Sequence, residues 1–343
     1  MPLLIANPSP DETRAWALSA TSPAHRGYGA TVTSDLPVLF FDRDLPAEFR
    51  DLVEGRAVAV GPAPDDLARA DAAIAGMHRW DAQAMAAGPQ LRVISRTGVG
   101  YDTVDVAAAT VAGITVCYAP MAPTVSTAEH TIALMMAVTK SLGAAHARAR
   151  EGLPGGPATA LELDGRTMGL LGYGRIARRV AVVAKALGMT VIAHDPLVAE
   201  DATGVARLVA FNELFETSDV LSLHAPATAA TRHVVNSKSL AMMRPGGYLI
   251  NCARGGLVDQ DALLLALDTG QLAGAGLDVT APEPLPVGHP LLTHPRVVVT
   301  PHIASGTVAG RRRLYEHAID NALTTLAGTP TNVVPEQAVV EPF

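Results

Sequence analysis

Cysteine, basic charge and long apolar runs are all scarce in this chain. It has 343 residues but only two cysteines, Cys117 and Cys252. Both lie in apolar, strand-like runs, so we expect buried, reduced thiols rather than a disulfide. The formal net charge of −7 gives no basic field for nucleic acid. Since no apolar run can span a membrane and the N-terminus lacks the composition of a signal peptide, we expect a cytoplasmic protein without membrane or nucleic-acid partners.

Short apolar strands alternate with short helices from Val38 onwards, which is typical of α/β folds with parallel sheets. The chain is long for a single core, which favours two domains. Residues 3–6 have the composition of a strand, but the prolines, serines and threonines that follow predict an irregular arm. Residues 126 to about 150 predict one long helix that is apolar on nearly every side and must be covered. Residues 151–159, rich in glycine and proline, predict a loop.

Residues 168–196, with the sequence MGLLGYGRIARRVAVVAKALGMTVIAHDP, predict a strand, a glycine turn, a helix and a second strand. Gly172, Gly174 and Ala177 form the pattern GxGxxA, in which the backbone can approach a pyrophosphate at the helix N-terminus. Asp195 follows the second strand, about 20 residues after the glycines, where a carboxylate accepts hydrogen bonds from ribose hydroxyls. A carboxylate there repels a 2′-phosphate. The segment therefore predicts a dinucleotide site that takes NAD rather than NADP.

A second glycine-rich loop, RTGVGYDTVD, begins at Arg96, at the carboxyl end of a predicted strand. Ligands of open α/β sheets bind at such ends. Gly98 and Gly100 leave backbone N–H groups free to hold a small anion. The spacing is equally compatible with glycines that only turn the chain.

Three further polar side chains follow predicted strands: Arg254 in NCARGGLVD, Glu283 in LDVTAPEP and His302 in TPHIAS. Hydride transfer to a carbonyl needs a proton donor that titrates near neutral pH, and histidine does. A carboxylate beside the histidine orients the ring and stabilises the imidazolium. Arginine binds a substrate carboxylate through two parallel hydrogen bonds. Each residue alone is more often structural, but together on a dinucleotide fold they supply this chemistry.

Several motifs together resemble the NAD-dependent D-2-hydroxyacid dehydrogenase family, which includes phosphoglycerate dehydrogenases, glyoxylate and hydroxypyruvate reductases and D-lactate dehydrogenases. The resemblance runs from about Val38 to Pro335. The motifs are TGVGYDTVD, STAEHTIALMMA, GLLGYGRIA, LHAP, NCARGGLVD, LDVTAPEP and TPHIAS. Arg254, Glu283 and His302 match the family's arginine, glutamate and histidine in that order.

The resemblance implies a Rossmann domain over residues 119–302 and a discontinuous flavodoxin-like substrate domain over residues 1–118 and 303–343. The cleft would close at hinges near residues 119–120 and 300–301. His302 would act as the general acid and base, with Glu283 as its partner. The backbone of Val99 and Gly100, together with Arg254, would bind the carboxylate of a small 2-keto or 2-hydroxy acid. The implied NAD-binding residues are Gly172, Gly174, Arg175, Ile176, Asp195, His224, Pro226, Cys252, Ala253, Asp278 and His302.

The resemblance also implies a homodimer formed through the helix after Ser126. The turn Met121 to Pro123 departs from the family pattern and borders the expected cleft or dimer surface. Arg79, Trp80 and Arg96 are further guesses for substrate contacts. Three alternatives stay open: a formate dehydrogenase, which the glutamate at position 283 disfavours because formate enzymes carry glutamine there; a phosphite dehydrogenase; and an NAD-sensing corepressor-like binding protein.

Overall fold

The structure is a computed structural model that describes residues 36–155 and 160–338. The strand or arm expected at residues 3–6, and the last part of the loop expected at 151–159, lie outside the described residues. Within the described ranges, no helix combines the length and apolar character needed to cross a membrane. The described residues contain two separate parallel sheets.

Five parallel strands form the smaller sheet, in the order β2-β1-β3-β4-β5, which is the order of flavodoxin-like sheets. The strands are β1 (Val38–Phe41), β2 (Val58–Val60), β3 (Ala72–Ala75), β4 (Val93–Arg96) and β5 (Thr115–Cys117). One face packs against a 3₁₀ helix, Ala47–Leu52, and the long helix α11, Val308–Leu326. The other face is covered by α1 (Pro64–Leu67), α2 (Ala82–Ala86) and α3 (Val106–Val111). Burial on both faces explains why these strands are continuous apolar runs.

Seven parallel strands form the larger sheet, in the order β12-β11-β10-β9-β6-β7-β8. They are β6 (Thr167–Leu171), β7 (Thr190–His194), β8 (Arg207–Leu208), β9 (Val220–Leu223), β10 (Gly247–Asn251), β11 (Leu272–Leu277) and β12 (Val297–Val299). The chain starts this sheet in the middle, at β6, and moves outward first to one side and then to the other. Such a reversal places a crevice beside β6 and β9, at the carboxyl ends of the strands.

Helices cover both faces of the larger sheet. One face holds α4 (Thr124–Thr139) and α6 (Arg175–Ala186). The other holds α7 (Phe211–Thr217), α8 (Ser237–Met242) and α9 (Gln260–Asp268). The remaining helices of the described residues are α5 (Leu142–Arg150), α10 (Pro290–Thr293) and a 3₁₀ helix, Gly255–Leu257. Among these elements, the two-residue β8 and the single turn α10 were not expected from the sequence.

The single helix predicted over residues 126 to 150 is wrong, because the chain forms two helices that are separated at Lys140 and Ser141. Ser141 has a positive φ of 52°, which ends a right-handed helix. The returning chain replaces the missing helical hydrogen bonds: the N–H of Leu161 donates to the carbonyl of Thr139 at 2.8 Å. The ammonium of Lys140 donates to the carbonyl of Leu161 at 2.7 Å. Apolar periodicity could not reveal this break, because it continues across it.

Two chain segments connect the sheets, residues 118–123 and 300–307, and hydrogen bonds hold them side by side. The hydroxyls of Ser126 and Thr307 lie 2.8 Å apart, at the starts of α4 and α11. The guanidinium of Arg313 donates to the carbonyl of Ala122 at 3.2 Å. The two crossings therefore form one connected region between the sheets.

Candidate active site

The glycine turn after β6 has the geometry that a dinucleotide site requires. Gly172 has a φ of 92°, and a Cβ atom there would lie 2.8 Å from the carbonyl carbon of His224. Only glycine tolerates both conditions. The turn is thus pressed against the end of β9, at the crevice where the strand order reverses.

The N-terminus of α6 is open and suits a pyrophosphate. Gly174 caps the helix without a side-chain hydrogen bond, and no atom lies within 4 Å of the position that a Cβ would take there. Arg175 and Ile176 form the first turn. The first N–H groups of the helix therefore remain available to an anion.

Asp195 lies beside this turn, where the sequence predicts it. Its two carboxylate oxygens accept the N–H groups of Tyr173 at 2.8 Å and of Leu197 at 2.9 Å. Each oxygen of a carboxylate has a second lone pair, so both can also accept a ribose hydroxyl. The donors and acceptors of this region therefore fit NAD.

His224 and Pro226 follow β9 on the other side of the crevice. The Nε2 atom of His224 lies 3.0 Å from the hydroxyl of Ser222, and burial lowers the pKa of His224 to about 4. His224 is therefore neutral at neutral pH. The carbonyl of Pro226 accepts the hydroxyl of Thr231 at 2.6 Å, which fixes the loop that follows.

After β10, the fully buried Asn251 shapes the turn that carries Cys252, Ala253 and Arg254. Its amide accepts the N–H of Ala253 at 3.0 Å and donates to the carbonyl of Arg254 at 2.9 Å. Both cysteines of the chain are free. Cys252 is half-buried rather than buried as predicted, and burial raises the pKa of its thiol to about 12. The thiol is therefore protonated and unreactive at neutral pH.

Arg254 reaches from the larger sheet to the glycine loop of the smaller one. Its Nε atom donates to Asp102 Oδ1 at 3.1 Å, and its Nη1 atom donates to the carbonyl of Ala253 at 2.8 Å. The guanidinium lies so close to Gly100 that a Cβ at this position would be 1.3 Å from Nη2. Gly100 therefore has a stricter role than turning the chain, because any side chain there would displace Arg254.

Asp102 is ionised in this pair. Burial alone would raise the pKa of Asp102, but the charge and hydrogen bond of Arg254, helped by the charge of Arg96, hold that pKa below its usual range. Asp102 was not predicted from the sequence as a site residue.

The buried Arg96 holds the glycine loop from below. Its Nε donates to the carbonyl of Gly100 at 2.9 Å, and its Nη1 donates to the carbonyls of Ala75, at 2.9 Å, and Gly76. Burial and the neighbouring Arg254 lower the pKa of Arg96 to about 10, so it stays charged. Within residues 36–155 and 160–338, the N–H groups of Val99 and Gly100 donate no hydrogen bond. A cation below two free donors is a suitable site for a carboxylate.

His302 and Glu283 form a close pair at the edge of the larger sheet. The Nδ1 atom of His302 lies 2.5 Å from Glu283 Oε1, and both side chains are about one-third exposed. Burial raises the pKa of Glu283, but the hydrogen bond and charge of His302, the N–H of Thr280 and the charge of Arg254 together hold it below its usual value. The structure thus brings Arg254, Glu283 and His302 within electrostatic range.

Asp278 organises the segment that carries His302. Its carbonyl accepts the N–H of His302 at 2.8 Å, and its carboxylate accepts the N–H groups of Ile303 at 2.9 Å and Ala304 at 2.8 Å. His302 has a positive φ of 52°, which non-glycine residues adopt only when their surroundings hold them there. The resemblance predicted Asp278 as a cofactor contact, and the structure shows these contacts with the backbone.

A model of the family described as D-isomer specific 2-hydroxyacid dehydrogenase, NAD binding domain, matches residues 132–304, about half of the chain. The chain belongs to the D-isomer specific 2-hydroxyacid dehydrogenase family. The predictions of this family, of an α/β fold with a Rossmann domain and of NAD as cofactor are confirmed.

Relatives of this dehydrogenase family support the assignment. The chain is 40% identical over 256 residues to a glyoxylate reductase of Thermofilum pendens, covering 72% of this chain and 76% of that protein. It is 37% identical over 247 residues to a D-3-phosphoglycerate dehydrogenase of Synechocystis, covering 71% of this chain and 44% of that protein. The chain spans less than half the length of the first curated relatives it matches.

A solved member of the family shares the arrangement of the described residues. The crystal structure of a glyoxylate reductase from Paecilomyes thermophila is 29% identical and superposes with a TM-score of 0.80. The superposition covers 89% of this chain and 100% of the glyoxylate reductase chain. Neither the phosphite nor the corepressor alternative is favoured by these relatives.

Among the three guesses for substrate contacts, the structure separates Arg96 from the others. Trp80 is buried, with its ring edge-on to Phe40 at 6.2 Å. Arg79 is exposed and lies 3.7 Å from Asp81. Arg96 lies under the glycine loop, but its contacts are with backbone carbonyls.

Proposed function

We propose that this protein is an NAD-dependent D-2-hydroxyacid dehydrogenase that interconverts a small D-2-hydroxy acid and the corresponding 2-keto acid. The pairing of His302 with Glu283, within electrostatic range of Arg254, carries the proposal. A carboxylate-paired histidine beside a cation, at the crevice of an NAD-binding fold, suits the reduction of a carbonyl next to a carboxylate. The kinship to glyoxylate reductases supports the same substrate class.

The carboxylate of the substrate would lie between the two sheets. Arg254 uses Nε and one hydrogen of Nη1 for Asp102 and Ala253, so its remaining hydrogens on Nη1 and Nη2 can bind the carboxylate. The free N–H groups of Val99 and Gly100 complete the site from the other side. These contacts orient the keto carbon without touching the reacting oxygen.

His302 would exchange the proton. With Nδ1 bound to Glu283, Nε2 is the ring atom left for the substrate. Bound NADH supplies the hydride. Nε2 of His302 would donate its proton to the keto oxygen, which becomes the hydroxyl of the product, as C2 is reduced by the hydride. In oxidation His302 takes the proton back. Glu283 stabilises the imidazolium that must be present before reduction.

The remaining NAD-binding residues are proposed from their positions. Gly172, Gly174, Arg175 and Ile176 would hold the pyrophosphate and Asp195 the ribose. His224, Pro226, Cys252, Ala253 and Asp278 would surround the nicotinamide half, since all five follow strands β9, β10 or β11 at the same edge of the sheet.

We also propose the domain organisation implied by the family: a substrate domain over residues 1–118 and 303–343 around a Rossmann domain over residues 119–302. The strands of the smaller sheet end at Cys117, and α11 packs on that sheet. The paired segments 118–123 and 300–307 would contain the hinges. We propose a homodimer through α4, the helix that contains Ser126, as the family resemblance implies, and the cytoplasm as compartment, which the free cysteines support.

The proposal is tested by following NADH absorbance with a panel of substrates: glyoxylate, hydroxypyruvate, pyruvate, branched and aromatic 2-keto acids, and phosphohydroxypyruvate. We expect turnover of at least one, and a loss of roughly 10³-fold in His302→Ala, since general acid catalysis contributes about 10²–10⁴-fold. NADH binding, followed by its fluorescence, should persist in that variant. Oxidation of phosphite with no turnover of the panel, or NADH binding without any turnover, would contradict the proposal and favour the alternatives.

A further inference from the structure

The imidazole of His130, on α4, reaches the segment that carries His302. Its Nε2 atom lies 3.0 Å from the hydroxyl of Thr300 and 3.3 Å from Asp278 Oδ1. The side chain of His130 is 20% exposed and that of Asp278 is fully buried. His130 therefore meets the end of β12 and the residue that organises the loop after it.

The hydrogen bonds define the protonated ring atom of His130. The hydroxyl of Thr300 donates its hydrogen to Asp278 Oδ1 at 2.6 Å, so it can only accept from His130. Nε2 of His130 therefore carries a hydrogen, which it donates to the Thr300 oxygen, and the same nitrogen lies 3.3 Å from Asp278 Oδ1. This assignment follows from the network of contacts.

Asp278 needs the polar groups around it, because a buried carboxylate is unfavourable unless donors or a cation surround it. In the described part of the chain, its carboxylate accepts hydrogen bonds from Thr300, Ile303 and Ala304, His130 Nε2 lies 3.3 Å from it, and no arginine or lysine pairs with it. His130 is thus the one ionisable base in contact with this carboxylate among the described residues.

The consequence reaches His302 through the backbone. Asp278 accepts the N–H groups of residues 302, 303 and 304, and these bonds hold His302 at its positive φ. If the Asp278 carboxylate turned away, the segment would keep only the bonds of the His302 N–H to the carbonyls of Asp278 and Thr300, and the ring of His302 would be held less firmly against Glu283.

We propose that His130 is a positioning residue for His302: it anchors Asp278 and Thr300, which hold the 300–304 segment so that His302 meets Glu283. His130 does not touch the reacting atoms, and its effect on the reaction rests on the proposed dehydrogenase function. Because α4 follows the first connecting segment, residues 118–123, the contacts of His130 link α4 to the second connecting segment, residues 300–307.

Three variants test this role. His130→Leu removes the donor at similar size, and His130→Gln keeps an amide N–H near the position of Nε2. His146→Leu changes an exposed histidine on α5 and is the matched control. If His130→Leu does not fold, Thr300→Val removes the hydroxyl between His130 and Asp278, and Thr300→Ser retains it.

The first measurement is amide hydrogen exchange in the protein without NAD. We expect His130→Leu, or Thr300→Val, to speed exchange at residues 302–304 by roughly 10-fold or more, because local opening controls the exchange of such amides. His130→Gln, Thr300→Ser and His146→Leu should exchange as the wild type does. A uniform change over the whole protein, or no change at 302–304, would overturn the proposal.

The second measurement is kinetic, with the best 2-keto acid. We expect His130→Leu to lower kcat by roughly 10- to 100-fold, since a misplacement of about 1 Å has such effects, with the KM for the keto acid and the NADH affinity little changed. His130→Gln should restore most of kcat. Added to His302→Ala, His130→Leu should lower kcat no further. Additive losses, or a wild-type kcat in His130→Leu, would refute the role. If the wild type reduces no keto acid, the proposed function fails, and hydrogen exchange alone decides whether His130 holds the segment.

Discussion

The carboxyl ends of the two sheets use their polar residues in opposite ways. At the smaller sheet, Asp42 and Arg96 are buried and bind the backbone: Asp42 Oδ2 accepts the N–H of Gly76 at 2.5 Å, and Arg96 donates to three carbonyls. At the larger sheet, His302 and Glu283 are partly exposed and bind each other. The polar residues at the carboxyl end of the smaller sheet therefore hold the backbone in place, whereas those at the carboxyl end of the larger sheet present titratable side chains.

The difference indicates a division of labour in the proposed reaction. In this proposal the backbone N–H groups of Val99 and Gly100, in the loop that Arg96 holds through the carbonyl of Gly100, would bind the substrate. The larger sheet would supply the proton and hold the cofactor. Arg254 joins the two edges, since it follows β10 but lies on Gly100 and pairs with Asp102. Changes at the larger sheet should alter kcat and its pH dependence, and changes at the smaller sheet should alter KM.

Because Arg254 lies at the carboxyl ends of both sheets, its loss should have a larger effect than the substitutions of Glu283 and Arg96 described below. We expect Arg254→Leu to lower kcat/KM for the best keto acid by more than about 100-fold, because a charge-assisted hydrogen bond contributes about 1.5–3 kcal/mol and the guanidinium offers more than one. Arg254→Lys should recover little, since an ammonium lacks the planar fork. Steady-state kinetics measures both; equal activity of the lysine variant and the wild type would contradict bidentate binding.

The variant Glu283→Gln tests the carboxyl end of the larger sheet through the pH dependence of the reduction rate. The glutamine cannot stabilise the imidazolium, so we expect kcat for reduction to fall roughly 10-fold or more at neutral pH and the rate to decline at lower pH than in the wild type. A pH–rate profile that keeps its position would argue against the pair.

The lowered pKa of Glu283 also predicts a stability effect with a definite sign. A carboxyl group whose pKa is lowered by folding stabilises the folded state at pH values above its unfolded-state pKa of about 4.3. This contribution disappears as the pH falls through the lowered pKa of the folded state. The Tm difference between the wild type and Glu283→Gln should therefore be larger at pH 7 than near pH 3. Thermal denaturation at both values measures it.

Arg96→Lys tests the smaller edge. A lysine cannot donate to the carbonyls of Ala75, Gly76 and Gly100 at once, so the glycine loop should lose its fixed direction. We expect the KM for the keto acid to rise by roughly 10-fold, as for the loss of one or two hydrogen bonds, with kcat and the pH profile almost unchanged. If the pH profile shifted in Arg96→Lys, the smaller sheet would also affect the proton transfer, and the proposed division between the two sheets would be wrong.

Most strands of both sheets are predictable from the sequence, because parallel strands covered on both faces are short apolar runs bounded by turns, as at Val220–Leu223; the two-residue β8 is the exception. It failed at Ser141, where the helix ends through backbone geometry and a contact with Leu161 that apolar periodicity does not encode. The placement of Gly172, Gly174 and Asp195 around one turn could be predicted because their spacing within one βαβ unit is itself the signal.

Asp102, Asn251 and His130 were missed because their roles depend on contacts that local patterns do not encode. Asp102 meets Arg254, and His130 meets Asp278 and Thr300, only after the two sheets and the crossings between them are in place. The motif STAEHT contains His130, but nothing in that motif names its partners. Residues that act through a distant partner are thus the part of a site that local patterns cannot supply.

The smallest expected effect is at Asp195, beside the glycine turn after β6. This turn lies at the carboxyl end of the larger sheet but takes no part in the proposed proton transfer. Asp195 binds the N–H of Tyr173, and in the proposed function it would also accept ribose hydroxyls. In Asp195→Ala, the loss of these bonds should raise the KM for NADH by a few-fold, roughly as for one hydrogen bond. Removal of the negative charge should also narrow the preference for NADH over NADPH, which carries a 2′-phosphate. Kinetics with both cofactors measures this preference, and the pH profile should stay in place, since Asp195 does not contact His302 or Glu283. If the wild type already used both cofactors equally, Asp195 would not be the residue that selects NAD.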